Sequence, residues 1–274
     1  DKAWIEATGR GATSAAEPSE SADTDGVLRT AAIRTYGDTI HRFVDRSSYR
    51  GPFAPGYRAI GGQPGDRSGV EGVGIRDIDH VVGNVELGRM QEWVRYYEDV
   101  FGMTEMIHFS DEDISTEYSA LMSKVCVDGS GRVKFPINEP AAGRRRSQIE
   151  EYLDYYGSPG VQHVALATDD IVATVGRLQA RGLGFLSVPS TYYEDATGRV
   201  GEIFESYADL ERLGILVDRD DEGYLLQIFT RTVQDRPTMF FEVIQRKGSR
   251  GFGAGNFKAL FEAIEREQAL RGNL

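Results

Sequence analysis

Two stretches of this sequence decide the fold: DIDHVV at residues 77–82 and VQHVAL at residues 161–166. Both are rich in β-branched and other apolar residues, which favours a short strand. Each carries one histidine, His80 in the first stretch and His163 in the second. Two similar strands with a histidine at the same place indicate an internal repeat.

A helical segment follows each of these strands. Apolar residues recur at helical spacing in residues 90–101 and again in residues 171–180, and the glycines Gly102 and Gly182 follow them as stop signals. Further strand-like runs come after each helix, at residues 116–127 and 132–137 in the first copy and at 215–217, 224–229 and 238–244 in the second. The pattern predicts an α+β fold in which tandem βαβββ modules form an open half-barrel sheet.

The N-terminal part resembles a third module without its first strand. We therefore expect residues 1–56 to be the remnant of a third βαβββ domain, from which N-terminal sequence has been lost. Glycine and proline are frequent from Tyr49 onward, which is typical of a linker, and we assign the linker to residues 57–74. Residues 75–274 then form a domain of two modules and a C-terminal helix.

Composition limits the class of protein and its partners. The chain has 274 residues and a formal net charge of −12, which argues against binding to nucleic acid or to an anionic membrane. It contains no apolar run of the length that spans a bilayer. The single cysteine, Cys126, rules out an internal disulfide framework. We expect a cytoplasmic protein.

The repeat brings together residues that can hold a metal ion. His80 and His163 occupy equivalent strands, so a shared half-barrel places them near each other. Glu242 lies in an otherwise apolar strand, where a carboxylate is costly unless it is paired, protonated or bound to a metal. Two histidines and one carboxylate leave open positions on an octahedral ion, as in non-haem Fe(II) sites.

Each of these residues also has a simpler explanation. A lone histidine on an apolar strand is usually structural, and His41 and His108 are interpreted in that way because they do not share the repeat position. Glu242 alone could form a buried ion pair with Arg231 or Arg236. The symmetry of the two histidines favours the metal site.

Several long motifs resemble those of 4-hydroxyphenylpyruvate dioxygenases, and the similarity covers essentially the whole chain. They are GVQHVAL at residues 160–166, DDEGYLLQIF at 220–229, QDRPT at 234–238, FFEVIQR at 240–246 and GFGAGNF at 251–257. The resemblance implies that His80, His163 and Glu242 bind Fe(II). It also implies a substrate pocket, in which four side-chain amides, Asn138, Gln148, Gln162 and Gln227, act in catalysis. The full set of implied pocket residues is Ser123, Asn138, Gln148, Gln162, Gln227, Phe229, Phe240, Phe252, Asn256 and Phe257.

The function implied by the resemblance is conversion of 4-hydroxyphenylpyruvate, a 2-oxo acid, and O2 to homogentisate and CO2, in the catabolism of tyrosine and phenylalanine. The resemblance also implies that residues 1–56 are part of a non-catalytic domain and that residues 75–274 are the catalytic domain. It further suggests a homo-oligomer of two or four chains. A 4-hydroxymandelate synthase and a non-catalytic binding protein of the same fold are the alternatives. The C-terminal helix has apolar residues at amphipathic spacing and follows the glycines Gly251, Gly253 and Gly255, so we expect it to act as a lid.

Overall fold

The structure, a computed structural model, describes residues 1–58, 72–109, 120–141 and 146–272. Its N-terminal part contains a helix and a small antiparallel sheet: α1 (Lys2–Gly9), β1 (Ser14–Asp23), β2 (Gly26–Arg34) and β3 (Ile40–Asp45). The three strands pair in chain order. None of the described helices combines the length and the apolarity needed to cross a bilayer.

The first repeat is a βαβββ module. It consists of β4 (Ile75–Asn84), α2 (Met90–Phe101), β5 (Thr104–Phe109), β6 (Ala120–Val127) and β7 (Lys134–Ala141). Helix α2 buries Val94 and Tyr97 against the sheet. It ends at Gly102, which adopts the left-handed conformation (φ 67°) that glycine allows.

The second repeat has the same order of elements with additional helices. A short helix, α3 (Gln148–Tyr156), precedes it. The module consists of β8 (Gly160–Thr168), α4 (Ile171–Ala180), α5 (Thr191–Val200), α6 (Tyr207–Leu213), β9 (Leu216–Arg219), β10 (Tyr224–Phe229) and β11 (Phe240–Lys247). Helix α7 (Ala254–Arg271) follows it.

The two modules form one eight-stranded sheet in the order β5-β6-β7-β4-β8-β11-β10-β9. In each module the last strand pairs in parallel with the first, β7 with β4 and β11 with β8. The first strands of the two modules meet in antiparallel pairing at the centre of the sheet. The predicted α+β fold of tandem βαβββ modules is confirmed, whereas the division into domains at residues 56 and 74 stays a prediction.

Some elements were not expected from the sequence. Strand β1 is almost entirely polar and exposed, so it lacks the alternation that identifies a strand, and it contains Pro18 at the edge of its sheet. Helix α3 begins at a capping box in which the side chains of Ser147 and Glu150 bind each other's backbone amides. The predicted start of a strand at residue 116 lies outside the described residues.

The small N-terminal sheet packs against the first module through His41. Its Nε2 lies 2.9 Å from the Tyr97 hydroxyl, and its ring contacts the rings of Phe101 and Phe135 at centroid distances of 5.0 and 5.4 Å. Burial lowers the pKa of His41 to about 4. The histidine therefore acts as a neutral packing residue, in agreement with its structural interpretation.

This low pKa predicts a loss of stability in mild acid. Between about pH 6.5, where an unfolded histidine titrates, and pH 4, the unfolded chain binds a proton that folded His41 does not. We expect His41 to reduce the free energy of unfolding across this window by about 1–3 kcal/mol. Urea titrations at several pH values check this. His41→Gln should show a shallower decline than the unchanged chain, and parallel pH profiles would contradict the assignment.

A second prediction concerns the contact between Tyr36 and strand β4. A Cβ at Gly83 would lie 2.3 Å from the buried Tyr36 hydroxyl, whereas a Cβ at Gly176, inside α4, would meet nothing within 4 Å. We expect Gly83→Ala to destabilise the protein by about 1–3 kcal/mol and Gly176→Ala to stabilise it by about 0.5–1 kcal/mol. Urea denaturation measures both, and changes of the same sign would refute the packing described.

Candidate metal centre

Three neighbouring strands bring the predicted ligands together. On the central strand β8, Ala165 lies opposite His80 of β4 and also opposite Glu242 of β11. His163 is two residues before Ala165 and therefore on the same face of the sheet. Ala165 is buried and lies between His80 and Glu242 in the register of the three strands. The register of the sheet alone thus gathers both histidines and the glutamate.

The ligand atoms have the spacing that a metal ion requires. The Oε2 atom of Glu242 lies 3.2 Å from Nε2 of His80 and 3.4 Å from Nε2 of His163, and all three ligand atoms lie within 4.8 Å of one another. At metal–ligand distances of about 2.0–2.2 Å, adjacent octahedral ligands are about 3 Å apart. The three residues are buried, and their donor set fits a divalent transition metal.

A hydrogen bond fixes each imidazole ring. Nδ1 of His80 lies 2.8 Å from Oδ1 of Asp79, and Nδ1 of His163 lies 2.9 Å from Oε1 of Gln162. Because these partners are acceptors, each Nδ1 carries a proton, and Nε2 is the atom that each ring would offer to a metal ion. One ring is thus held by a carboxylate and the other by a neutral amide.

The protonation states suit metal binding. Burial alone raises the pKa of Glu242, but the charge of His80 and hydrogen bonds from both imidazoles outweigh it and lower that pKa to about 2. Burial lowers the pKa of His163, and Glu242 offsets this only in part. Burial also lowers the pKa of His80, but Glu242 and Asp79 raise it above its ordinary value. Protonation and metal binding would therefore compete for Nε2 of His80.

A cavity adjoins the three predicted ligands. Besides the three ligands, its walls contain five of the predicted pocket residues: Ser123, Asn138, Gln227, Phe229 and Phe252. Phe252 meets the His80 ring edge to face at 5.0 Å, and Phe229 meets the His163 ring at 6.1 Å. Apolar and neutral polar walls thus surround the metal ligands.

Three other predicted residues line a second cavity: Gln148, Gln162 and Phe240. The Phe240 ring stacks on His163 with the centroids 4.8 Å apart and the planes at 20°. Since Gln162 accepts the hydrogen bond from the same imidazole, His163 separates the two cavities. The structure therefore divides the predicted pocket residues between both sides of this ligand.

The start of helix α7 brings further polar atoms to the site. Oε1 of Gln227 and Nδ2 of Asn256 are buried, and neither has a hydrogen-bond partner within the described part of the chain. A Cβ at Gly253 would lie 2.3 Å from the first atom and 3.3 Å from the second, so only glycine fits between them. The oxygen of Asn256 accepts a hydrogen bond of 2.6 Å from Tyr192. The side chain of Phe257 lies outside the described residues.

Sequence reasoning missed three residues that shape the centre. Asp79 directly precedes His80, so its position beside a candidate ligand was a usable signal. Arg246 lies in a motif of the family resemblance but was given no role, although it pairs with Asp79 through two hydrogen bonds of 2.8 and 2.9 Å. Ala165 gave no signal in the sequence, because its contribution depends on the pairing of three strands.

Comparison with known proteins identifies the family to which the chain belongs. Residues 77–228 match the Glyoxalase/Bleomycin resistance protein/Dioxygenase superfamily. A 4-hydroxyphenylpyruvate dioxygenase from Aspergillus fumigatus is 49% identical over all of this chain and 69% of its own length. One from Dictyostelium discoideum is also 49% identical, over 99% of this chain and 75% of its own length.

Among solved structures, a triple mutant of 4-hydroxymandelate synthase from Streptomyces coelicolor aligns with a TM-score of 0.75 at 31% identity. The alignment covers 97% of this chain and 72% of that protein. Fold, site and comparisons together define a dioxygenase of the glyoxalase/bleomycin resistance superfamily. Within this superfamily, the chain belongs to the 4-hydroxyphenylpyruvate dioxygenase family.

The geometry predicts the effect of removing the carboxylate ligand. Removal of a residue that hydrogen-bonds to a metal ligand typically weakens metal binding about 10–100-fold. Removal of a ligand itself should cost at least as much, so we expect Glu242→Ala to weaken Co(II) or Fe(II) binding by roughly 100-fold or more. Anaerobic calorimetric titration measures this. Glu139→Ala is the matched control, because Glu139 is also buried but accepts a hydrogen bond from the Met90 amide at the start of α2. Equal losses in both variants would contradict the assigned ligand.

Proposed function

We propose that this chain is an Fe(II)-dependent dioxygenase that converts 4-hydroxyphenylpyruvate and O2 to homogentisate and CO2. The observation that carries the proposal is the buried group of His80, His163 and Glu242 at the base of a cavity with aromatic and amide walls. The curated relatives at 49% identity carry the name of this activity.

The donor set supports iron as the resident metal. Two imidazole nitrogens and one carboxylate on adjacent strands occupy one side of an ion and leave its other positions open, an arrangement used by non-haem Fe(II) oxygenases. When bound, Fe(II) supplies the positions at which a 2-oxo acid and O2 are held and activated together. The hydrogen bonds that the two imidazoles donate to Asp79 and Gln162 keep both rings oriented for that ion.

The charge distribution of the cavity supports a 2-oxo acid substrate. The described residues that line the metal cavity include no lysine or arginine. A substrate carboxylate buried there without a cation would be strongly destabilised. The positive charge that it requires must therefore come from the metal ion, and a carboxylate next to a keto group offers two oxygens for binding to one ion.

The cavity walls also suit a phenol ring. We assign the ring contacts to Phe229 and Phe252. Ser123 and Asn138 are cross-strand partners in β6 and β7 and line the cavity together. With Gln227, they offer neutral donors and acceptors that can orient a phenol without transferring charge to it.

The remaining residues implied by the resemblance keep proposed roles in the same reaction. Gln148, Gln162 and Phe240 would act from the neighbouring cavity, and Asn256 and Phe257 from helix α7. We further propose that α7 is the lid that excludes water from the site. The homo-oligomer, the cytoplasmic location, the role in tyrosine catabolism and the domain boundaries 1–56, 57–74 and 75–274 remain predictions.

A 4-hydroxymandelate synthase is the second candidate, and the solved synthase mutant at a TM-score of 0.75 favours it. The two reactions use the same substrate and differ in the carbon that is hydroxylated, the aromatic ring or the benzylic position. The orientation of the ring therefore decides between them. Asn138, on the cavity wall beside Ser123, is the side chain to which we assign the orientation that leads to the ring product.

The test is product analysis under labelled oxygen. Fe(II)-loaded protein is incubated with 4-hydroxyphenylpyruvate and ¹⁸O₂, and the products are separated and their masses measured by mass spectrometry. We expect homogentisate with one label on the ring and one in the carboxylate, and no product from Glu242→Ala. Hydroxymandelate would instead establish the synthase, and Fe(II) binding without any product would contradict both activities.

A further inference from the structure

Arg246 forms the most extensive polar contacts next to the metal centre without touching it. It lies on β11, four residues after Glu242. Its Nε donates to Oδ2 of Asp79 at 2.8 Å, and its Nη2 donates to Oδ1 at 2.9 Å. The same Oδ1 accepts the hydrogen bond from His80. The guanidinium therefore fixes the carboxylate that orients one metal ligand, in the planar two-point geometry that arginine allows.

The other arm of Arg246 reaches the segment that leads into α7, residues 249–253, which we call the hinge. Its Nη1 donates to the carbonyl oxygen of Gly251 at 2.6 Å and to that of Ser249 at 3.4 Å. The guanidinium also lies over the Phe252 ring at 5.4 Å, and this ring contacts His80. One side chain thus binds both the support of a metal ligand and the backbone of the hinge.

Other contacts hold the hinge without reaching the metal ligands. Asp220 accepts hydrogen bonds from the Gly251 amide at 2.9 Å and from the Ser249 hydroxyl. Just beyond the hinge, Asp218 accepts one from the Gly255 amide at 2.9 Å and pairs with Arg199. Ser249 and Gly251 thus have a hydrogen-bond partner other than Arg246. Its distinct feature is the connection to Asp79.

Charge alone does not account for Arg246. Asp79 is buried, and burial raises its pKa, but hydrogen bonds from His80 and Arg246 outweigh this and keep its pKa well below the ordinary value. Lys134 supplies a second positive charge, with Nζ 3.5 Å from Oδ1 of Asp79. Arg246 differs from a lysine because its planar guanidinium binds both carboxylate oxygens of Asp79 and, at the same time, the carbonyl groups of Ser249 and Gly251.

We propose that Arg246 is a positioning residue that couples metal binding at His80 to the conformation of the hinge at residues 249–253. The proposal rests on the metal centre of the proposed function. His80 would be fixed by a metal ion on its Nε2, and Asp79 would be fixed with it. Arg246 would pass that restraint to the carbonyl groups of Ser249 and Gly251. By reciprocity, an ordered hinge raises the affinity for the metal.

The test combines metal titration with amide hydrogen exchange of the full chain. Co(II) is the probe, because its visible ligand-field bands report the geometry of its ligands. In the unchanged chain, Co(II) should slow exchange across the hinge. In Arg246→Lys we expect about 10-fold weaker Co(II) binding, altered visible bands and no effect of Co(II) on hinge exchange. Arg76→Lys is the matched control, since Arg76 pairs with Asp77 and Asp169 on the exposed end of β4, and it should behave like the unchanged chain.

The outcomes separate this proposal from the one on which it rests. If the unchanged chain binds no Co(II), the metal centre is wrong, and the coupling fails with it. If Arg246→Lys binds Co(II) with unchanged affinity and bands, and its hinge is still slowed by the metal, the coupling alone is wrong. Should Arg246→Lys fail to fold, Asp79→Asn provides the second test. The side-chain amide of this variant still accepts a hydrogen bond from His80 but can no longer form the charged two-point contact with Arg246. We therefore expect Co(II) to have no effect on hinge exchange in this variant.

Discussion

The structure depends on one buried carboxylate, Glu242, held between the imidazoles of His80 and His163. A buried carboxylate is tolerated only with positive charge or donors around it, and here those donors come from two different strands. The register of three neighbouring strands must therefore be maintained, because a slip by one residue would turn each ligand to the opposite face of the sheet. The geometry of the metal centre therefore depends on the pairing of the central strands.

The repeat explains how such a centre arises. In each module the last strand returns parallel to the first, and the two first strands meet at the middle of the sheet. Equivalent positions in the two modules therefore become neighbours in space, which is why two histidines 83 residues apart in the chain lie side by side. The third predicted ligand, Glu242, lies on the last strand of the second module. The last strand of the first module contributes none of the three predicted ligands, so the two modules differ at this position.

The sequence was sufficient for the repeat, the fold class and the proximity of His80, His163 and Glu242. A histidine at the centre of equivalent strands and a glutamate in the apolar run at Phe240–Ile244 are local signals. The sequence was insufficient for strand β1, whose polar edge lacks alternation, and for the extra helices α5 and α6. The role of Ala165 could not be found, since it depends on strand pairing. The division of Gln148 and Gln227 between two cavities depends on where the Phe240 ring lies against His163, which no sequence pattern specifies.

The central claim is that these three side chains together hold one metal ion. Anomalous diffraction at the iron absorption edge, from crystals grown anaerobically with Fe(II), tests it most directly. We expect one strong peak within bonding distance of Nε2 of His80, Nε2 of His163 and a carboxylate oxygen of Glu242. A peak bound by other residues, or no peak in crystals whose solution contained stoichiometric Fe(II), would contradict it.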